Sequence, residues 1–589
     1  MNSENEKSED RLADFTQDRR LILLAGIALV IGAVSALVAY VLVWLISVIT
    51  NLSFYHTFSS VFQSPDHNRL GISVILVPVV GGLLIGLMAR FGSDRIRGHG
   101  IPEALEAILF GRSRMQPRVA ILKPLSSAIA IGTGGPFGAE GPIIMTGGAV
   151  GSLIAQQLHM SSSERKTLLV AGAAGGMSAI FATPIAAVFL SIELLLFEWK
   201  PRSVIPVTIA SIAALACRIP LLGQGPIFPT AGHSMLGATG LLIAFAVGTV
   251  AGLASGALTA LVYGFEDLFA KLPIHWMWWP ALAGVGIGIG GLIDPRILGV
   301  GYDTIHSLLR GEIIGAAIIG LLIGKAIIWS FALGSGTSGG VLAPLLMIGG
   351  ALGAAEAQII PVGDTGLWVM ISMAALMGGT MRSPLTALIF AVELTHDYNV
   401  LPLLLVGCMA AYGVTVLLLR RSILTEKVAR RGYHITREYS VDPLAVTRVY
   451  DVMEHDQTSI PSTMLVSELA DRIALRDPKV TRHQGLPIVD DEGALAGIIT
   501  RGDVLRAVGE KGQHLTVLEA GTRKLITVFP DDLVHEAVTK MLRNNVGRLP
   551  VVSRQNPKKL VGYLGRPDVL KARSRQLEEE HARERGMQA

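Results

Sequence analysis

The feature that most constrains this chain is a pair of glycine-rich apolar segments that repeat each other. Residues 132–151 read GTGGPFGAEGPIIMTGGAVG, and residues 334–353 read GSGTSGGVLAPLLMIGGALG. Each paired position is separated by 202 residues, as Pro142 and Pro344 are (344 − 142). Residues 184–193 and 384–393 form a second pair at an offset of 200. Two matched segments in the same order indicate that a larger region is internally duplicated.

The composition around these segments is that of a polytopic membrane protein. Of the 589 residues, 51% are hydrophobic and only 16% are charged. The apolar run that begins at Leu21 is long enough to cross a bilayer, and Arg19 and Arg20 before it favour a cytoplasmic N-terminus. The first twenty residues lack the apolar core of a secretory signal. We therefore expect a multi-pass protein of a bacterial inner membrane with both termini in the cytoplasm.

Several other apolar stretches are short and interrupted by glycine or proline. When such stretches occupy corresponding places in two halves of a membrane protein, they predict broken helices that meet at a binding site near the membrane midplane. We assign residues 1–20 to a cytosolic segment and residues 21–432 to a membrane domain. Its repeat halves are predicted at about 21–225 and 236–420.

A soluble pattern follows the basic residues that precede position 432. Residues 486–505 (LPIVDDEGALAGIITRGDVL) recur as residues 549–570 (LPVVSRQNPKKLVGYLGRPDVL), with a loop two residues longer in the second copy. Each copy predicts a strand, a turn, a second strand and a helix. We assign the two modules to residues 442–508 and 515–575, and a charged tail to residues 576–589.

Moving an anion through hydrocarbon requires donors that replace its water shell without holding it too tightly. The N–H groups at a helix start carry partial positive charge, and glycine lets the backbone approach an ion closely. Three segments predict such helix starts: residues 98–102 (GHGIP), 138–142 (GAEGP) and 340–344 (GVLAP).

With the tandem modules behind them, these three segments resemble the CLC family of chloride channels and chloride/proton antiporters with CBS domains. The resemblance covers most of the membrane region. It implies an α-helical membrane protein with inverted repeats of broken helices and a cytosolic α/β pair of CBS domains. It also implies chloride as the transported ion, a homodimer with one pathway in each subunit, and no required cofactor.

The resemblance also assigns roles to individual residues. Glu140 matches the family's gating glutamate, which occupies the pathway until it is protonated or displaced by chloride. The positions that match anion-binding segments are His99, Gly100, Ile101, Ala139, Gly141, Val341 and Leu342. Lys123, seventeen positions before Glu140, either supplies a positive field to the pathway or pairs with a nearby carboxylate.

Three positions depart from the family pattern. His99 stands where a serine is usual; it either faces the ion and makes transport sensitive to pH, or turns aside. Leu424 stands where a tyrosine is usual and offers no hydroxyl, so we expect a looser and less selective central site. Leu194 replaces the inner glutamate of antiporters, which favours a passive channel. A chloride/proton antiporter remains the alternative, because His99 or a water chain could carry the proton.

In the tail, Thr500 and Asp503 match a CBS pattern that contacts an adenine nucleotide such as ATP, ADP or AMP. The second copy keeps Asp568 but has Gly565 in place of the hydroxyl, so one competent site or none is expected. The same spacing is also that of an ordinary helix N-cap.

Other classes of function fit the sequence less well. The formal charge of +4 comes from basic residues beside membrane segments and in the tail, so nucleic acid is not expected. A CBS-regulated divalent cation transporter, the distant alternative, would need clustered carboxylates in the membrane. No catalytic residues and no metal site are predicted, and the protein is not expected to be an enzyme.

Overall fold

The computed structural model describes residues 20–234, 236–432, 444, 447–455, 458–481, 484–510, 512, 514–572 and 574. The chain divides into two compact units, Met1–Tyr439 and Ser440–Ala589, each described here by itself. The predicted cytosolic segment, apart from Arg20, and the predicted charged tail lie outside the described residues.

The first unit is helical. Its first half contains α1 (Arg20–Thr50), α2 (Leu76–Phe91), α3 (Ile101–Leu109), α4 (Pro117–Gly132), α5 (Glu140–Gln157), α6 (Ser162–Phe181), α7 (Pro184–Leu190) and α8 (Pro201–Leu222). Its second half contains α9 (Ala238–Ala270), α10 (Trp279–Ile293), α11 (Tyr302–Leu309), α12 (Ala316–Gly334), α13 (Leu342–Ala357), α14 (Thr365–Met381), α15 (Pro384–Thr395) and α16 (Leu401–Leu418). The short α17 (Ile423–Arg430) follows. Each helix of α1–α8 has its counterpart in α9–α16, so the predicted duplication is confirmed.

Only part of these helices could span a bilayer. Among the described residues, seven helical segments are long and apolar enough to do so. Helices α13, α14 and α15 are apolar but shorter than eighteen residues. Helices α6 and α14 are buried along most of their length, so they form the core of the unit rather than its surface. The predicted mixture of spanning and short helices is therefore present.

The two halves exchange helix caps. The Glu393 carboxylate accepts hydrogen bonds of 3.0 and 2.8 Å from the N–H groups of Ile185 and Ala186, at the start of α7. Glu193, 200 positions earlier, accepts bonds of 3.2 and 2.8 Å from the corresponding N–H groups at the start of α15. Contacts that exchange in this way relate the halves by an approximate two-fold axis, which is the relation that inverted repeats require.

Glycines allow the central helices to cross closely. A Cβ atom added to Gly151 on α5 would collide with the backbone of Leu168 on α6. Its counterpart Gly353 on α13 would meet the backbone of Trp368 on α14 in the same way. Small residues at such crossings are typical of helix packing in membranes. The repeated glycines in the sequence are therefore packing positions as well as turn positions.

The second unit contains two similar lobes. In the first, β1 (Ile460–Pro461) pairs in parallel with β2 (Gly485–Val489), which pairs antiparallel with β3 (Leu495–Thr500). In the second, β4 (Arg548–Val552) pairs antiparallel with β5 (Leu560–Gly565). The helices are α18 (Val449–Val452), α19 (Val466–Ala474), α20 (Pro478–Thr481), α21 (Arg501–Gly509), α22 (Val517–Ala520) and α23 (Val534–Arg543). Both predicted strand pairs are present.

Each lobe takes part of its core from outside its own sequence copy. Val449 and Met453, which precede the first copy, pack in the cluster around Val551 and Leu564 of the second. Val517, which precedes the second copy, packs in the cluster of the first. The exchanged segments bury apolar side chains in both directions, so the two lobes stabilise each other.

Candidate functional site

Three helix starts converge inside the first unit. The start of α5 pairs with the start of α13, because Gly340 N–H donates to the Gly138 carbonyl at 2.8 Å and Gly138 N–H donates back at 3.4 Å. The segment before α3 joins them, since Gly98 N–H donates to the Gly336 carbonyl at 3.2 Å. The three predicted anion-binding segments, far apart in sequence, are thus adjacent in space.

Glycine is required where these segments touch. Gly100 lies immediately before α3 with φ of 91°, a conformation that side chains rarely adopt. A Cβ there would lie 2.6 Å from the Gly141 carbonyl oxygen. A Cβ on Gly141 would in turn collide with the His99 carbonyl. The chain at this point is packed backbone against backbone, which brings the starts of α3 and α5 into direct contact.

Glu140 is the first residue of α5, and its side chain is fully buried. One carboxylate oxygen, Oε1, accepts hydrogen bonds from the N–H groups of Leu342 and Ala343 at the start of α13, the latter at 3.3 Å. Within the described residues, Oε2 has no hydrogen-bond partner. A buried negative group therefore lies on the amides of a helix N-terminus, where the partial positive charge of α13 favours an anion.

Two buried lysines donate hydrogen bonds to the backbone segments that precede α3 and α11. Lys123 Nζ donates to the carbonyls of Ile96 and Gly98 at 2.9 and 2.7 Å. Lys325 Nζ donates to the corresponding carbonyls before α11 at 2.8 and 3.0 Å. The hydrogen bonds of Lys123 in this structure go to carbonyl oxygens and not to a carboxylate. Lys325 was missed by sequence reasoning, although its position 202 residues after Lys123 is a signal that could have found it.

His99 is 3% exposed and lies between Gly98 and the start of α3. In the part of the chain that the structure describes, its Nδ1 atom has no hydrogen-bond partner. The neighbouring Gly100 N–H is directed to Glu103 Oε2 at 2.9 Å. The remaining positions with predicted anion contacts, Ile101, Ala139, Val341 and Leu342, are all buried around the same convergence.

The family model that describes the voltage-gated chloride channels matches residues 80–416, more than half of the chain. The protein belongs to the CLC family. Models of the CBS domain match residues 449–510 and 517–575. The CLC match spans the convergence of helix starts, and the CBS matches span the two lobes.

Curated CLC relatives cover much of the chain. Chloride channel protein CLC-f of Arabidopsis thaliana is 27% identical over 567 residues, covering 82% of this chain and 70% of the relative. The H(+)/Cl(-) exchange transporter ClcA of Salmonella agona is 27% identical over 411 residues, covering 67% of this chain and 86% of the relative. Proteins named as a channel and as an exchanger therefore resemble this CLC chain equally in identity.

Solved CLC structures share the fold. A eukaryotic CLC transporter superposes with a TM-score of 0.62 at 18% identity, covering 93% of this chain and 98% of that one. A slow cyanobacterial Cl⁻/H⁺ antiporter superposes with a TM-score of 0.61 at 21% identity, covering 70% of this chain and 98% of that one.

Leu194 and Leu424, the leucines predicted to replace family residues, are both buried. Leu194 is fully buried in the π-helical turn Ser191–Leu196 that continues α7, and this turn packs against α3. Leu424 is fully buried on α17, which also packs against α3. Neither side chain can donate a hydrogen bond or carry a proton. Both positions therefore place hydrocarbon side chains on elements that pack against α3.

The predicted nucleotide contacts are engaged in helix caps. Thr500 and Asp503 form a reciprocal capping box at the start of α21, with Thr500 Oγ1 donating to Asp503 Oδ2 at 2.7 Å. In the second lobe, Asp568 accepts the Gly565 N–H at 2.8 Å. Nucleotide binding at these residues remains a prediction. Among the described residues, no group of three His, Cys, Asp or Glu side chains is placed to hold a metal ion.

Proposed function

We propose that this protein carries chloride passively across a membrane, as a CLC-type channel gated by Glu140 and modulated by its CBS domains. The observation that carries the proposal is the Glu140 carboxylate on the N–H groups at the start of α13. A carboxylate held there occupies the kind of site that chloride needs, which is a set of buried amides at a helix start. Protonation of Glu140, or competition by chloride, would free those amides.

The passive mechanism is favoured by the hydrocarbon at Leu194, the position at which CLC antiporters commonly carry a proton-transfer glutamate. Leu194 is fully buried, and its hydrocarbon side chain has no titratable group that could relay a proton. The alternative is a chloride/proton antiporter in which His99 or a chain of waters carries the proton. A CBS-regulated divalent cation transporter is the distant alternative, and the buried lysines near the pathway oppose it.

The deciding experiment uses the purified full-length protein in liposomes under a chloride gradient. A passive channel brings the membrane potential to the chloride Nernst potential, and a superimposed pH gradient leaves that potential unchanged. An antiporter shifts the reversal potential with the pH gradient, which would replace the first proposal with the alternative. Absence of chloride flux at every pH would contradict both.

We further propose the setting in which this function operates. The CLC resemblance supports a homodimer with a separate pathway in each subunit. We place the protein in the inner membrane of a bacterium, surrounded by lipid, with both termini in the cytoplasm. An adenine nucleotide at Thr500 and Asp503, with a weaker or absent site at Asp568, is the proposed regulatory ligand; no other cofactor is proposed.

A further inference from the structure

Three basic residues at the end of α17 make ion pairs with two different helices. Lys427 contacts both carboxylate oxygens of Glu266 at 3.0 Å, and Arg430 contacts Asp267 at 2.5 Å, so both are directed to the end of α9. Arg431 is directed elsewhere. Its guanidinium contacts Glu103 at 2.8 Å and Glu106 at 2.6 Å, both of which lie on α3.

Glu103 joins Arg431 to the convergence of helix starts. Its Oε1 atom accepts from Arg431, while its Oε2 atom accepts the Gly100 N–H at 2.9 Å. The Glu103 side chain is only 5% exposed, whereas that of Arg431 is 37% exposed. The buried Glu103 carboxylate thus binds the Gly100 amide with one oxygen and the Arg431 guanidinium with the other.

A carboxylate in this position has two opposed effects. It caps the start of α3, which stabilises the helix. It also places a negative charge in the first turn of a helix whose positive N-terminus faces the proposed anion pathway. An unpaired buried charge would repel a chloride ion nearby, because interactions between charges are weakly screened in a protein interior. Arg431 supplies the opposite charge at hydrogen-bond distance.

We propose that Arg431 is a positioning residue for the anion site. It keeps Glu103 on the Gly100 amide and cancels its charge, so that the start of α3 keeps a positive potential for chloride. The proposal rests on the proposed chloride pathway and adds a determinant of its affinity.

The test measures chloride binding to the full-length purified protein by titration calorimetry with sodium chloride. We expect Arg431→Gln to weaken chloride binding about tenfold, because a buried carboxylate is left without its partner. The double variant Glu103→Gln with Arg431→Gln should return the affinity to within about twofold of the wild type, since the buried carboxylate is removed and Glu106, the other partner of Arg431, is partly exposed to solvent. Arg431→Lys should give an intermediate affinity.

Arg430→Gln is the matched control, because it removes the same charge one residue earlier from a pair that does not involve α3. Its chloride affinity should match the wild type. Glu103→Gln alone retains an acceptor for the Gly100 amide and should bind chloride as tightly as the wild type, or more tightly. A double variant as weak as Arg431→Gln, or an equal loss in Arg430→Gln, would overturn the proposal.

This outcome is separable from the proposed function. Wild-type protein that binds chloride in calorimetry but shows no chloride flux in liposomes would contradict the transport proposal and leave the affinity comparison intact. Wild-type flux together with an unchanged affinity in Arg431→Gln would contradict the role of Arg431 alone. Thermal melting of each variant in detergent identifies any that fail to fold. If Arg431→Gln does not fold, the test is the chloride affinity of Glu103→Gln, and a weaker affinity than that of the wild type contradicts the proposal.

Discussion

Glu140 and Leu342 occupy equivalent places in the two repeats, since each is the first residue of its central helix (342 − 140 = 202). The duplication therefore supplies two opposed helix starts, but only one of them carries a carboxylate. That carboxylate lies on the amides of the other helix start. In the proposed mechanism, this asymmetry between two otherwise similar segments lets chloride compete with the Glu140 carboxylate for the α13 amides.

Replacing Glu140 by glutamine tests this competition. The neutral amide resembles the protonated acid and holds the α13 amides less strongly than a carboxylate does. We expect Glu140→Gln to conduct chloride at all pH values, whereas wild-type flux should rise on acidification as Glu140 is protonated. Chloride efflux from liposomes measured across a series of pH values checks this.

Glu312→Gln serves as the control for that comparison, since Glu312 is half exposed and forms an ion pair with the nearby Arg310. Its pH profile should match the wild type. A Glu140→Gln variant with unchanged pH dependence would remove the gating role from this residue.

The reciprocal caps of α7 and α15 explain why both repeats carry a glutamate at the end of the matched segment. Each carboxylate satisfies N–H groups that the first turn of the other helix leaves unpaired. Glu193 also accepts a hydrogen bond of 2.6 Å from the Thr386 hydroxyl. The two helices are therefore tied to each other, and Glu193 caps α15 from the position next to Leu194.

We expect Glu193→Gln and Glu393→Gln to lower the free energy of unfolding by similar amounts, about 1 kcal/mol each, because each loses a charged cap at a helix start. Melting temperatures in detergent measure the loss. The reversal potential of chloride flux should be the same in both variants and in the wild type. A change of proton coupling in Glu193→Gln alone would show that this residue moves protons and does more than cap α15.

The two units of the chain use symmetry in different ways. The membrane unit relates its halves by reciprocal caps and by the paired helix starts. The CBS unit relates its lobes by exchanging Val449 and Val517 between their cores. Tyr563 adds a polar tie, because its hydroxyl donates to the Gly485 carbonyl of the other lobe at 2.9 Å. Burial raises the pKa of Tyr563, so the hydroxyl remains a donor at ordinary pH.

Nucleotide regulation is tested on the full-length protein by calorimetry with ATP, ADP and AMP. We expect one nucleotide per chain, because Thr500 has a hydroxyl where the second lobe has Gly565. Thr500→Val should weaken that binding by about tenfold, the effect of losing one hydrogen bond to a charged group. Thr516→Val makes the same chemical change in another capping box and should leave binding unchanged. Absence of heat with all three nucleotides would contradict the proposal.

The duplication, the tandem lobes and the three helix starts were predictable because they are periodic or local in the sequence. Glycine and proline recur at an offset of 202 in the first pair of segments, and proline and glutamate recur at an offset of 200 in the second. The same offset would have predicted Lys325 from Lys123, had it been applied to charged residues as it was to glycines. The capping box of Thr500 and Asp503 was likewise visible as an alternative, since it depends on residues only three positions apart.

The sequence by itself determined a duplicated membrane domain and predicted its three glycine- and proline-rich helix starts, because backbone chemistry at such turns is local. The tertiary structure decided which groups those starts meet. Glu140 contacts Leu342 across 202 residues, and Arg431 contacts Glu103 across 328. The offset of 202 marks Glu140 and Leu342 as equivalent positions but does not predict that they touch, and the pair of Arg431 and Glu103 leaves no periodic trace, since each charge could be satisfied by many partners. Only the packing of α3, α5, α13 and α17 places the Glu140 carboxylate on the α13 amides and the Glu103 carboxylate against Arg431.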